Sequence, residues 1–136
     1  MKLVLATLSE SASVDVQSNQ LSVFNMIENI QVNGTLPVQY PRMTLVNLWE
    51  RDDTSAVSTE ERISCRVKIK SADTTAPIGE EFEVVMQEGQ PRVRVIINLI
   101  GVPINSVGVN EVIFETKRGN SWHEAGSVSI LVALTS

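Results

Sequence analysis

Apolar and polar residues alternate along much of the chain, which is the pattern of β-strands with one solvated face. The clearest example is the run from Arg62 to Lys70, whose other face carries basic and polar side chains. Its apolar residues predict one inward row: Ile63, Cys65, Val67 and Ile69.

A second run has Phe82, Val84 and Met86 on its apolar face, with Glu81 and Glu83 opposite. If the two runs pair antiparallel with Ile69 opposite Phe82, Lys68 falls opposite Glu83 and Lys70 opposite Glu81. This register predicts that the acidic residues of the second run form ion pairs with the basic residues of the first.

The end of the chain predicts a β-hairpin. The runs 107–116 and 121–132 flank the turn signal Lys117-Arg118-Gly119-Asn120, and Gly126 indicates a bulge. The alternating residues of this hairpin are expected to close a sandwich core.

Two segments are harder to interpret. The run 21–30 fits a strand, which we favour, but its apolar spacing also allows a short helix. The segment 31–42 contains Asn33-Gly34, Pro37 and Pro41, so it predicts a loop that crosses between sheets. The charged segment 50–62 predicts a further loop.

The run 92–100 begins as an alternating strand and ends apolar on both faces. Its inward row is Val93, Val95, Ile97 and Leu99. Ile96 and Ile100 lie on the other face and need separate cover, from neighbouring loops or from another subunit.

About eight short strands with turn residues between them predict an all-β, antiparallel β-sandwich. A chain of 136 residues fits a single domain, 1–136, that can bury a core without crosslinks. Cys65 is the one cysteine, so no disulfide can form within the chain and a reducing, cytoplasmic compartment is expected. The apolar run at 1–8 is read as a first strand, because it is too short for a signal peptide.

Charge and composition exclude some partners. The net charge is −5, which opposes binding to a phosphate backbone, and aromatic residues make up only 4% of the chain. No segment approaches the roughly 20 apolar residues of a membrane helix. Neither nucleic acid nor a membrane is therefore expected as a partner.

The segments 5–16 (Leu-Ala-Thr-Leu-Ser-Glu-Ser-Ala-Ser-Val-Asp-Val) and 19–30 (Asn-Gln-Leu-Ser-Val-Phe-Asn-Met-Ile-Glu-Asn-Ile) are followed by a proline-bearing loop. With the glycine-opened hairpin at 107–132, they resemble small bacterial proteins of a family of unknown function. The resemblance implies an immunoglobulin-like sandwich of about seven to eight strands in a bacterial cytoplasm. It implies no catalytic residues.

The sequence contains few candidate catalytic or metal-ligating residues. His123 is the one histidine, and with a single cysteine it cannot build the usual zinc shells. Cys65 is expected to be a buried core residue without an activating base. The adjacent carboxylates lie in polar segments where both would stay ionised. We therefore expect no enzyme activity, no cofactor and no metal.

Two hypotheses remain for function. The first is a non-catalytic interaction module that binds itself or another protein. The second is a ligand-binding module, for instance for carbohydrate, that uses exposed aromatic rings. A basic face formed by residues of 62–70 together with Arg92 and Arg94 is a weaker idea. The candidate contact residues are Tyr40, Trp49, Arg92, Arg94, Ile96, Trp122 and His123.

Overall fold

The structure, a computed structural model, describes residues 1–54 and 57–135. The described part is all-β. The strands are β1 Lys2–Val14, β2 Leu21–Met26, β3 Asn29–Asn33, β4 Val38–Glu50, β5 Glu61–Lys70, β6 Thr75–Met86, β7 Arg92–Ile104, β8 Gly108–Arg118 and β9 Ser121–Thr135.

The strands form two sheets that pack as a β-sandwich. One sheet has four strands in the order β2-β1-β4-β7, and the other has five in the order β3-β9-β8-β5-β6. All neighbours are antiparallel except β3 and β9, which are parallel. The predicted fold class is confirmed, with nine strands in the described residues. The segment 21–30 forms no helix and contributes to two strands, β2 and β3.

The core lies between the sheets. The inward row of β5 is confirmed, since Val67 is 4% exposed and Cys65 is fully buried. A larger cluster packs around Leu8, Leu45 and Phe114. A smaller one contains Trp49, Cys65 and Met86 at the end of the sandwich.

The closing hairpin is confirmed. β8 and β9 pair from Arg118–Ser121 down to Gly108–Val132, and the register shifts between Phe114 and Glu115 beside Gly126. A Cβ at Gly126 would lie 2.9 Å from a methyl carbon of Leu3. Glycine at this position therefore lets the first strand approach the last one.

The predicted register between β5 and β6 is wrong. Phe82 lies opposite Cys65, not Ile69, and Glu83 lies opposite Ser64. β6 begins at Thr75, well before the run of Phe82, Val84 and Met86 on which the predicted register was based, and a bulge lies between Cys65 and Val67. Lys68 therefore faces Pro77 and Lys70 faces Thr75.

The loop predicted for 31–42 is also wrong. β3 continues to Asn33 and β4 already begins at Val38, so only a short turn separates them. Pro41 lies within β4, in a stretch that pairs only with β7. The missing N–H of proline is tolerated there because one side of the strand has no ladder to complete.

β1 and β2 form a projecting hairpin, which we call the arm (residues 10–26). β1 leaves β4 after the pair Ser9–Thr44 but continues to Val14, paired with β2. Ser9, Thr44 and Val46 point away from the core, yet none is more than 2% exposed. They are covered because the arm lies over the outer face of the four-stranded sheet.

Candidate functional site

A cleft of about 580 Å³ opens between the arm and the outer face of the four-stranded sheet. The lining residues that carry its chemistry are Val14 and Asn19 on the arm, Leu48 on β4, and Arg92, Arg94 and Ile96 on β7. A volume of this size lies in the range of small-molecule sites in proteins.

The sheet forms the floor of the cleft through its register. Leu48 lies directly beside Arg94, and Val46 lies beside Ile96. The inward neighbours Leu45 and Ile97 alternate with these residues, so the floor residues must point outward. Strand alternation thus places an arginine and an isoleucine of β7 on the same side as the arm.

The two arginines have different partners. Nε of Arg92 donates to a carboxylate oxygen of Glu50 at 2.6 Å. One Nη of Arg94 donates to the backbone carbonyl of Asn19 at 3.1 Å, which ties β7 to the tip of the arm. Other hydrogen bonds of these two guanidinium groups are absent among the described residues, so both retain free donors.

The tip of the arm is a compact turn. One carboxylate oxygen of Asp15 accepts the backbone N–H groups of Gln17 and Ser18, each at 2.8 Å. These bonds, from Ser18 first and then Gln17, lower the pKa of Asp15. Asn19 adopts a φ of 57°, a left-handed conformation that asparagine tolerates, and so turns its carbonyl toward Arg94.

Three of the predicted contact residues, Arg92, Arg94 and Ile96, therefore line one cleft. Trp49 does not join them. Its side chain is fully buried, and its indole N–H donates to the side-chain oxygen of Asn47. It contributes to the smaller core cluster instead of a surface site.

The other predicted residues lie apart from the cleft. Tyr40 is half-buried and packs against the larger core cluster. Trp122 and His123 lie on β9, in the opposite sheet. His123 borders a second cleft of about 350 Å³, together with Lys2 and Arg118. The aromatic side chains proposed for carbohydrate stacking therefore do not share a surface.

Trp122 belongs to a charged network on the outer face of the five-stranded sheet. The guanidinium carbon of Arg66 lies 4.2 Å from the ring centroid of Trp122. Arg66 and Lys68 both bind the carboxylate of Glu115, at 2.8 and 3.1 Å. Burial raises the pKa of Glu115, but the hydrogen bonds and charges of these two residues outweigh it, so the pKa lies below its usual value.

The basic residues do not gather on one face. Arg62 pairs with Glu60 and Glu83, while Arg66 and Lys68 pair with Glu115. Arg92 and Arg94 lie in the other sheet, on β7. The idea of one continuous basic face is therefore wrong.

Other candidate chemistry is sparse. Burial raises the pKa of the Cys65 thiol to about 12, so this cysteine is a poor nucleophile at neutral pH. Across residues 1–54 and 57–135, no three histidine, cysteine or acidic side chains cluster as metal ligands would. In the same residues no helix is long and apolar enough to cross a membrane.

The sequence predicted the β7 residues of the cleft but not the arm that covers them. The sequence pattern around Val14 and Asn19 predicts no tertiary role for either residue. The one signal was the Asp15-to-Asn19 turn between two β-type runs, which indicates a hairpin but not the surface on which it packs.

A comparison with family models matches residues 4–117 to a family of unknown function, DUF6941. The chain belongs to this family. The DUF6941 match ends before β9, and it includes every residue named above for the cleft beneath the arm. No curated protein matches the sequence.

Proposed function

We propose that this DUF6941 protein is a non-catalytic interaction module of the bacterial cytoplasm that pairs with a second copy of itself through β7. The observation that carries the proposal is the edge of the four-stranded sheet. β7 pairs only with β4 among the described strands, so one side of its backbone has no ladder partner. Such an edge is a template for adding another strand.

The side chains of β7 favour a second copy as that strand. Ile96 is 37% exposed and Ile100 is 87% exposed, and both lie on the outer face of the sheet. Asn98 lies midway between them. If two β7 strands pair antiparallel about Asn98, each Ile96 meets the partner's Ile100, and a single two-fold contact covers all four side chains.

Charge supports the antiparallel arrangement. Arg92 and Arg94 lie at one end of β7, and the strand has no acidic residue. In the two-fold register each Arg94 lies opposite the partner's Val102, about 27 Å from the other Arg94 at ~3.4 Å per residue. A parallel pairing would place the arginines side by side and is therefore disfavoured.

The other edges are less suited, since in β7 the positive-φ Gly101 and Pro103 lie outside the segment 96–100 that forms the proposed contact. β2 has six residues, and Asn25 interrupts its extended backbone with a φ of 56°. β3 has five residues. β6 contains Pro77 and three glutamates, which hinder pairing.

The strand order also supports the immunoglobulin-like class. β1, β4 and β7 are adjacent in the manner of strands A, B and E, and β9, β8 and β5 in the manner of G, F and C. β6 extends the second group beside β5, as a C′ strand does. Modules of this class commonly bind other proteins, although the fold alone carries no function.

The first test is the molar mass in solution. We expect the wild type to be a dimer by analytical ultracentrifugation, and Ile100→Lys to weaken dimerisation by about tenfold or more, because lysine blunts an edge strand. Val109→Lys is the matched control, since Val109 is 60% exposed on the opposite sheet. A monomeric wild type, or equal effects of both variants, would contradict the proposal.

Crosslinking tests the register. In Asn98→Cys the two introduced cysteines would face each other across the axis at a Cα separation of about 5 Å, which a disulfide can span. In Ile100→Cys they would lie about 14 Å apart and cannot be joined. Buried Cys65 should not interfere. Efficient crosslinking of the Ile100→Cys variant alone would exclude this register.

A further inference from the structure

From the chemistry of the cleft beneath the arm, we propose that it binds a small carboxylate attached to a short apolar group. This inference shares Arg94 and Ile96 with the proposed dimer contact, but it rests on the arm and on Leu48, which lie away from the free edge of β7.

The polar side of the cleft offers mainly hydrogen-bond donors. Arg92 and Arg94 retain free N–H groups, as described above, and guanidinium groups match the geometry of a carboxylate. The side-chain oxygen of Gln90, a further lining residue, accepts the backbone N–H of Gln87, so its amide NH₂ is the group left for a ligand. Donors without acceptors favour an anion.

The local charge is opposite to that of the whole chain. The protein has a net charge of −5, yet neither acidic residue nor carboxylate is among the side chains that line the cleft. Two acids flank the cleft: Glu50, whose side chain is 14% exposed and is shared between Arg92 and Lys2, and Asp15, whose carboxylate accepts the backbone N–H groups of Gln17 and Ser18. Arg94 binds only a neutral carbonyl among the described residues, so its charge has no counter-ion there.

The remaining walls are apolar. Val14, Leu48 and Ile96 surround the arginines. A hydrated inorganic anion would leave these side chains uncovered, whereas a carboxylate with a few methylene groups would satisfy the donors and cover the walls. This is why a carboxylate with an apolar group fits better than phosphate.

The test is a titration of ¹⁵N-labelled protein with hexanoate, with hexanamide as the neutral isostere and inorganic phosphate as the hydrophilic anion. We expect saturable shifts at residues 14, 19, 48, 94 and 96 with hexanoate. Hexanamide should bind at least about tenfold more weakly, because it lacks the charge-assisted bonds. From butyrate to octanoate the affinity should rise roughly threefold per methylene.

Variants locate the site. Arg94→Gln should weaken hexanoate binding about tenfold or more. Val14→Glu should do the same by placing a negative charge in the cleft without touching an arginine. Val16→Glu is the matched control, since Val16 is 99% exposed, lies two residues away and does not line the cleft. Thermal unfolding establishes that each variant is folded.

The outcomes separate clearly. Hexanoate binding that Val14→Glu and Arg94→Gln weaken and Val16→Glu leaves unchanged supports the proposal. Non-saturable shifts, equal binding of hexanamide, or tighter binding of phosphate would overturn it. Arg94→Gln should have the same molar mass in solution as the wild type, and Ile100→Lys should bind hexanoate as the wild type does. Failure of this proposal is therefore distinguishable from failure of the proposed dimer.

Discussion

The two sheets meet solvent in different ways. The five-stranded sheet carries the ion pairs of Glu115 with Arg66 and Lys68 at the centre of its outer face. Its edge strand β6 bears Pro77, glutamates and Gly79, whose φ of 65° distorts the edge. These features oppose strand addition at β6, although Val109 and Leu131, which are cross-strand neighbours, remain exposed on the outer face of the same sheet.

In the four-stranded sheet, β7 has no acidic residue, and its positive-φ glycine, Gly101, and its proline, Pro103, lie near its C-terminal end. The arm covers part of its outer face, and the rest exposes Ile96 and Ile100 beside an unpaired backbone edge. One sheet thus carries ion pairs at the centre of its outer face, whereas the other leaves apolar side chains exposed beside an unpaired edge. Binding sites in this sandwich are therefore expected on the four-stranded side.

The contrast between the two outer faces depends on which residues of each strand face the core. Val67→Asp should lower the free energy of unfolding by about 3 kcal/mol or more, because it buries a charge without a partner. Chemical denaturation measures the loss. Lys70→Asp, at an exposed position of the same strand, is the control and should cost much less. Equal losses would show that the facing of β5 is wrong.

The solvated character of the five-stranded sheet rests on Glu115. Glu115→Gln should destabilise by about 1–2 kcal/mol at pH 7, because Arg66 and Lys68 lose their shared partner. The lowered pKa of Glu115 stabilises the folded state above the usual value of 4.5, and this contribution is lost as pH falls through the lower, folded-state pKa. The difference in free energy of unfolding between the wild type and Glu115→Gln, measured by chemical denaturation, should therefore shrink from pH 7 to pH 3. A gap that stays constant with pH would contradict a role for the charge.

The smallest effect is expected at the blunted edge. Glu81 is exposed on β6, and Glu81→Ile should raise self-association by only about threefold, because Pro77 and the bend at Gly79 still hinder pairing. Sedimentation of this variant and of Glu81→Gln separates the added apolar side chain from the lost charge. Strong association of Glu81→Ile would mean that charge alone protects β6.

Much of the fold is predictable from local pattern. The alternation of 63–69 gave the facing of β5 correctly, because one side of that strand meets solvent and the other meets the core. The register with β6 was not predictable, since it depends on a bulge between Cys65 and Val67 and on β6 beginning at Thr75. Bulges shift pairing without leaving a reliable mark in the alternation.

The candidate site was predictable only in part. The sequence indicates Ile96 as a contact residue because an apolar residue on the outer face needs cover. Arg92 and Arg94 lie on the same strand. The arm was not predictable, because its position depends on tertiary contacts such as the bond from Arg94 to the Asn19 carbonyl. Trp49 lacks any sequence signal that separates a core indole from a surface one.

The parallel pairing of β3 with β9 has a consequence for how the protein forms during synthesis. Thr135 donates its hydroxyl to the carbonyl of Val32, across 103 positions of the chain, and Leu3 packs over Gly126. Contacts of such long range are slow to form, because the loop they close must be ordered first. Until β9 has been synthesised and is free to fold, β3 has no partner strand among the described residues and Leu3 lacks its contact at Gly126. The sandwich therefore closes only after most of the described chain has been made.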